Sequence, residues 1–159
     1  MPTPRRLHKA ARKSGDEFLK ITIDENGIYR IDGETLADQG LDLANIDPQE
    51  LRVHNNGGRP LPELLSAARH DSLIEIPIII EDGGDGRLDN ADGIYFWGQS
   101  VNDWDFSPMR ERWQHYTNPY TSNNIYWLSW STRTGAAKRL EQVSLTGADS
   151  ILTLSLIHI

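Results

Sequence analysis

The chain has 159 residues, 38% hydrophobic and 25% charged, enough for one ordinary globular domain with or without a tail. A net charge of -7 argues against a nucleic-acid binder, and no run reaches the ~18–20 apolar residues of a membrane-spanning helix. With no cysteine, these residues can hold no thiol nucleophile, thiolate metal site or iron–sulfur cluster.

The basic residues are unevenly placed. Arg5, Arg6, Lys9, Arg12 and Lys13 crowd the start, with no apolar segment behind them of the kind a secretory signal needs. Residues 1–16 therefore read as a solvated, disordered leader. From Phe18, Leu19, Ile21 and Ile23 alternate with Lys20, Thr22 and Asp24, the period of a half-buried strand. Asn26-Gly27 then suits a tight turn, and Ile28 to Ile31 resumes the extended pattern, so a β-hairpin is expected. Asp32 is placed to cap a short helix over Glu34 to Gln39, with Leu36 inward and Gly40 as its stop. Asp47-Pro48 opens a further turn or single helical turn.

Leu51 to His54 reads as a strand closed by Asn55-Asn56-Gly57-Gly58. Leu61 to Asp71 fits either an exposed loop or two helical turns. Leu73 to Ile80 is the most apolar segment, and its β-branched content predicts a strand buried on both faces, although Pro77 is unusual in a central strand. A glycine-rich turn at 82–86 leads to a strand over Gly93 to Gly98. Asn102 to Asn124 is polar but rich in large aromatics and reads as a long ordered loop. Ile125 to Trp130 is a strand, and Arg139 to Leu145 begins another. The whole predicts a mainly β fold, an antiparallel β-sandwich or barrel-like domain with one or two short helices over residues 17–153, truncated at its C-terminus. Leu154 to Ile159 (LSLIHI) matches one reading frame of a common sequencing-library transposon end. It reads as non-native, with the natural sequence continuing past Thr153.

For chemistry, no zinc-protease, nucleophile-elbow or phosphate-loop pattern occurs. The histidines His8, His54, His70, His115 and His158 are scattered. The best signal is the acidic loop Glu81 to Asp92. With Glu81 at position 1 of a calcium loop, Asp85 falls at 5, Gly86 at 6, Asp89 at 9 and Asp92 at 12. Gly83 at position 3 and aspartate at position 12 depart from that pattern. A calcium site at Glu81, Asp85, Asp89 and Asp92 thus stands beside a simpler reading, a hairpin loop whose aspartates cap their own backbone. Trp97, Trp104, Trp113, Trp127 and Trp130 could likewise form a sugar-binding platform or pack the core. Acids such as Asp85 and Asp92 give no reason to expect a cleft hydrolase.

Several segments taken in order carry a family likeness: FLKITIDENGIYRI (18–31), LRVHNNGG (51–58), LPE (61–63), DGRLDNADGIYFWG (85–98) and NIYWLSW (124–130). Over residues 17 to 143 the chain resembles the N-terminal β region that precedes the peptidase domain in gingipain-type cysteine peptidases, including the sortase of the type IX secretion system. The resemblance implies a parent that is exported and works at the outer membrane or outside the cell. The catalytic cysteine and histidine of that family lie in a later α/β domain, so no catalytic residue carries over to this chain. It also implies, as partners, the downstream peptidase domain and other secretion components. The alternative expectation is a stand-alone extracellular calcium- or carbohydrate-binding β module.

Overall fold

The computed structural model describes residues 1, 2, 4–11, 17–64, 66–70, 72–130 and 135–141. Arg12 and Lys13, the strand expected beyond Glu141, and the tail at 154–159 lie outside the described residues. Two antiparallel sheets face each other across one core, and a two-stranded ribbon stands beside them. The strands are β1 (Arg6–Ala11), β2 (Glu17–Ile23), β3 (Gly27–Asp32), β4 (Arg52–His54), β5 (Glu75–Ile76), β6 (Ile78–Glu81), β7 (Gly93–Gly98), β8 (Asp103–Ser107), β9 (Arg112–Tyr116) and β10 (Asn124–Ser129). The larger sheet runs β1-β2-β10-β4-β5, the smaller β3-β7-β6, and β8 pairs with β9. The fold is thus mainly β and sandwich-like, with no closed barrel among the described residues.

Strand periodicity builds the core. In the larger sheet Leu19, Ile21 and Ile23 face inward, in register with Leu128, Tyr126 and Asn124, and Val53 pairs with Leu128. In the smaller sheet two rows cross the strands: Tyr29, Phe96 and Ile78, then Ile31, Ile94 and Ile80. Phe96 stacks on Tyr29 at 5.7 Å between ring centroids and lies 5.2 Å from Tyr126 of the opposite sheet. Leu36, Leu41, Leu43, Ile46, Leu51 and Leu88 complete the apolar cluster.

The short helix forms where its cap and stop place it. In α1 (Gly33–Asp38) the Asp32 carboxylate accepts from the Thr35 amide at 2.8 Å, Leu36 is fully buried, and Gly40 follows at φ 81°. Pro48–Glu50 makes a single 3-10 turn, with the Asp47 carboxylate accepting from the Gln49 amide at 2.8 Å.

Four expectations change. Residues Arg6–Ala11 are not a disordered leader but edge strand β1, paired along β2 from Arg6↔Thr22 to Ala11↔Glu17. An edge strand tolerates basic side chains, which also discourage a further chain from adding to it. β2 and β3 do not form a hairpin: neither Asn26 nor Gly27 has the positive φ that a two-residue hairpin turn requires, and the two strands enter different sheets. The corner between them is pinned by Ser100, whose amide donates to the Asn26 side chain (2.6 Å) and whose hydroxyl donates to the Asp24 carbonyl (2.8 Å).

Leu73 to Ile80 is likewise not one strand buried on both faces. Pro77, lacking an N–H, marks the point where the backbone leaves β5 in one sheet for β6 in the other, and both are edge strands. Ile78 points inward while Ile79 lies open. Lastly, the stretch from Asn102 to Asn124 contains the β8–β9 hairpin. Among the described residues of 61–71, no helix forms and Leu61 and Leu64 are exposed, so the loop reading holds there.

The first amides of α1 donate to the end of the acidic loop, Gly33 to the Asp92 carbonyl (3.1 Å) and Glu34 to that of Asn90 (3.2 Å). A Cβ on Gly33 would sit 1.8 Å from the Asp89 carbonyl oxygen. Gly33→Ala is therefore expected to destabilise the chain by about 1–3 kcal/mol in urea unfolding. An unchanged midpoint would show that the loop does not pack on the helix.

Candidate functional site

The acidic loop is built mostly from turns. Gly83, Gly84 and Gly86 all have positive φ, and each aspartate near them binds its own backbone. Asp82 accepts from the Gly84 amide (3.0 Å), Asp85 from Arg87 (2.9 Å), Asp89 from Ala91 (2.7 Å), and Asp92 from Asp89 (2.7 Å). Glu81 lies at the end of β6 and accepts from the Tyr95 hydroxyl at 2.7 Å. Tyr95 in turn accepts from Arg30 Nε (3.0 Å), and Arg30 Nη2 donates to the Ala91 carbonyl (2.9 Å). The sequence-predicted calcium ligands Glu81, Asp85, Asp89 and Asp92 thus each accept a separate hydrogen bond. Among the described residues no three acidic or histidine side chains gather closely enough to hold a metal ion. The geometry is that of the self-capping alternative.

The histidines stay apart as well. His54 is buried in β4 beside Phe18, with ring centroids 6.5 Å apart, His70 is exposed in a loop, and His115 is exposed on β9. His158 lies outside the described residues.

The feature that stands out was read as a loop. In β8 and β9 register, Trp104 faces His115 and Phe106 faces Trp113, each an edge-to-face pair with centroids 5.2 and 5.6 Å apart. All four rings share one face, and Trp104 and Trp113 are 59% and 63% exposed. The other face is polar and anchored. Arg59 lies 3.9 Å over the Tyr116 ring and binds the Asp105 carboxylate at 2.5 Å. At its base Asn118 donates to the Gly58 carbonyl (3.0 Å) and accepts from Tyr120 (2.9 Å), while its own amide donates to Asn102 (2.9 Å). A signal for this ribbon was present in the sequence: Trp104 and Phe106 alternate with Asp103, Asp105 and Ser107.

A second built feature is the segment 135–141. It has almost no regular structure, yet it is strapped across both sheets. Ile78 donates to the Lys138 carbonyl (3.3 Å), and Leu140 donates to that of Ile78 (3.0 Å). Arg139 donates to the carbonyls of Pro48, Gln49 and Leu51 at 3.0–3.1 Å. Glu75 accepts from the Lys138 amide at 2.5 Å and from Arg52 at 2.9 Å, while Arg52 reaches the Gly135 carbonyl at 2.6 Å.

No family model matches the chain, and no curated protein does. A solved structure does match: the crystal structure of dimeric latent PorU from Porphyromonas gingivalis, at 30% sequence identity and a TM-score of 0.57. The chain is similar to part of PorU. The alignment covers 83% of this chain and 11% of that one, so the chain spans about a ninth of the length of the PorU chain it matches. At that identity the likeness reaches beyond a shared sandwich outline.

The Glu75 carboxylate gives a test of the strap. Burial is its largest influence and would raise the pKa, but the Lys138 amide, the Arg52 hydrogen bond and the charges of Arg52 and His54 together hold it below the usual range. A carboxylate depressed on folding stabilises the fold above its unfolded value of about 4.3, and that gain is lost as the pH falls through the folded value. Glu75→Gln is therefore expected to flatten the acid limb of the stability curve below about pH 4. At pH 7 it should destabilise the fold by about 1–3 kcal/mol, because Arg52 loses the charge of its partner while keeping the Gly135 carbonyl. Parallel stability–pH curves for the two proteins would sink this account.

Proposed function

We propose that this chain is a non-catalytic β domain of a PorU-like, gingipain-type cysteine peptidase linked to type IX secretion. In this reading it works at the cell surface or outside the cell. The observation that carries the proposal is the 30% identity kept over 83% of this chain against a protein of which it spans only 11%. None of the 159 residues is a cysteine, so in such a protein the nucleophile has to come from another part of the polypeptide.

The physical role that suits the fold is support of the peptidase. The smaller sheet turns Ile28, Ile79 and Trp97 outward, an apolar face fit to pack on a neighbouring domain. The strap at 135–141 ties that segment to both sheets and so fixes its position on the sandwich. Partners on this reading are the peptidase domain and secretion components.

Reading the gene outward from the codon of Thr153 tests the proposal. The expected result is a frame that runs into an α/β region carrying a cysteine and a histidine. A stop codon directly after Thr153 would overturn it and turn attention to a stand-alone module.

A further inference from the structure

We propose that the β8–β9 ribbon is a membrane-contact element that seats on an anionic bilayer surface. The inference rests on the chemistry of the ribbon and not on the likeness to PorU.

Three observations carry it. The first is the order of side chains along the ribbon. Met109, in the tip turn, is 93% exposed; behind it come the Phe106–Trp113 pair and then Trp104–His115. An apolar tip backed by tryptophans is the arrangement that suits the boundary between acyl chains and headgroups, where an indole ring keeps its apolar body in the bilayer and its N–H near water.

The second observation is charge. Within a chain of net charge -7, the tip carries Arg110 and Arg112 against the single acid Glu111. Of the acids on the strand behind it, Asp105 is ion-paired with Arg59 on the opposite face, whereas Asp103 keeps its charge and accepts from the Gln99 side chain (3.0 Å) and the Trp104 amide (2.8 Å). The acidic turn at 81–92 folds back on its own amides, away from the ribbon in sequence and in pairing. The tip residues 109–112, with two arginines against one glutamate, thus carry a net charge of +1, with Arg110 also donating to the Gln114 side chain (3.4 Å), and this complements an anionic headgroup layer, which attracts each basic side chain within a Debye length.

The third observation is one-sided anchoring. Arg59 and Asn118 bind only the polar side and the base of the ribbon, so the aromatic face is presented without any rearrangement. A glycan platform would use the same rings but gives no reason for an apolar methionine and two arginines at the tip. That combination favours the bilayer.

The test is co-sedimentation of the full chain with vesicles of phosphatidylcholine alone and of equimolar phosphatidylcholine and phosphatidylglycerol. Tryptophan quenching by brominated acyl chains is read in parallel. The expected result is binding to the anionic vesicles at least roughly tenfold tighter than to the neutral ones, lost at about 1 M salt. Arg110→Glu with Arg112→Glu should abolish it, and Trp104→Ser with Trp113→Ser should remove most of the quenching. Circular dichroism checks that each variant folds; if one does not, the lipid and salt series on the unaltered chain decide the matter. Absence of binding to both vesicle types, equal binding to both, or undiminished binding by folded variants would each overturn the proposal. So would binding to a glycan or a protein through Trp113 by a chain that ignores the vesicles.

Discussion

Phe96 lies between Tyr29 of its own sheet and Tyr126 of the opposite one, and the rest of the sandwich depends on that contact. Three aromatic rings at one level set the spacing of the sheets, and the aliphatic rows pack outward from them. Burial raises the pKa of both tyrosine hydroxyls, each of which is tied to backbone: Tyr29 donates to the Glu25 carbonyl (3.0 Å), and Tyr126 accepts from the Gln99 amide (2.8 Å). These two bonds hold the ends of the corners through which the chain passes between sheets. Core and corners are thus one construction. A one-residue slip in β7 would turn Phe96 to solvent and Trp97 to the core, so the register that fills the interior also places Ile28, Ile79 and Trp97 outside.

The same parity rule accounts for the ribbon. In β8 and β9 it puts Trp104, Phe106, Trp113 and His115 on one face and Asp103, Asp105, Ser107, Arg112, Gln114 and Tyr116 on the other, yet among the described residues no second sheet covers the first face. Two strands alone make a marginal unit in water. Here stability comes from one side, through Arg59 and Asn118, and the aromatic pairs add to it across the strands. An exposed ring pair does not return the water-exclusion gain of a buried one, so a face with three large apolar rings and a methionine points to a role outside the fold.

Much of this was legible in the sequence. The cap at Asp32, the stop at Gly40, the turn at Asp47-Pro48 and the alternation in β2, β7 and β10 are local signals, and local physics decides them. What failed was partnership. Asn26-Gly27 has the composition of a hairpin turn, but pairing with β7 and β10 outweighed it. Pro77 was noticed, yet its meaning, a change of sheet, depends on two partners far away in sequence. The basic residues Arg6 and Lys9 concealed a strand because an edge strand draws its stability from the backbone of β2 rather than from its side chains. The ribbon's aromatics stand out in the composition of 102–124, whereas its strands show only in their period of two. Of the proposed calcium ligands, spacing alone could not show that Asp85, Asp89 and Asp92 accept from backbone amides of their own loop and Glu81 from the Tyr95 hydroxyl.

Charge completes the picture. Several turn acids, Asp32, Asp47, Asp82, Asp85 and Asp89 among them, accept from nearby backbone amides and so fix the loops locally. The cations do longer-range work: Arg30 ties the acidic loop to the smaller sheet, Arg59 ties the ribbon to the body, and Arg52 and Arg139 tie the strap across both sheets. The guanidinium suits this use because its several donors reach separate carbonyls at once. Arg139 donates to the carbonyls of Pro48, Gln49 and Leu51, and burial lowers its pKa. An acidic chain thus spends its scarce cations as rivets between elements. Arg110 and Arg112 tie no two elements together in this way: they stand at the ribbon tip beside the exposed Phe106 and Trp113, with Arg110 reaching Gln114 of the same ribbon (3.4 Å).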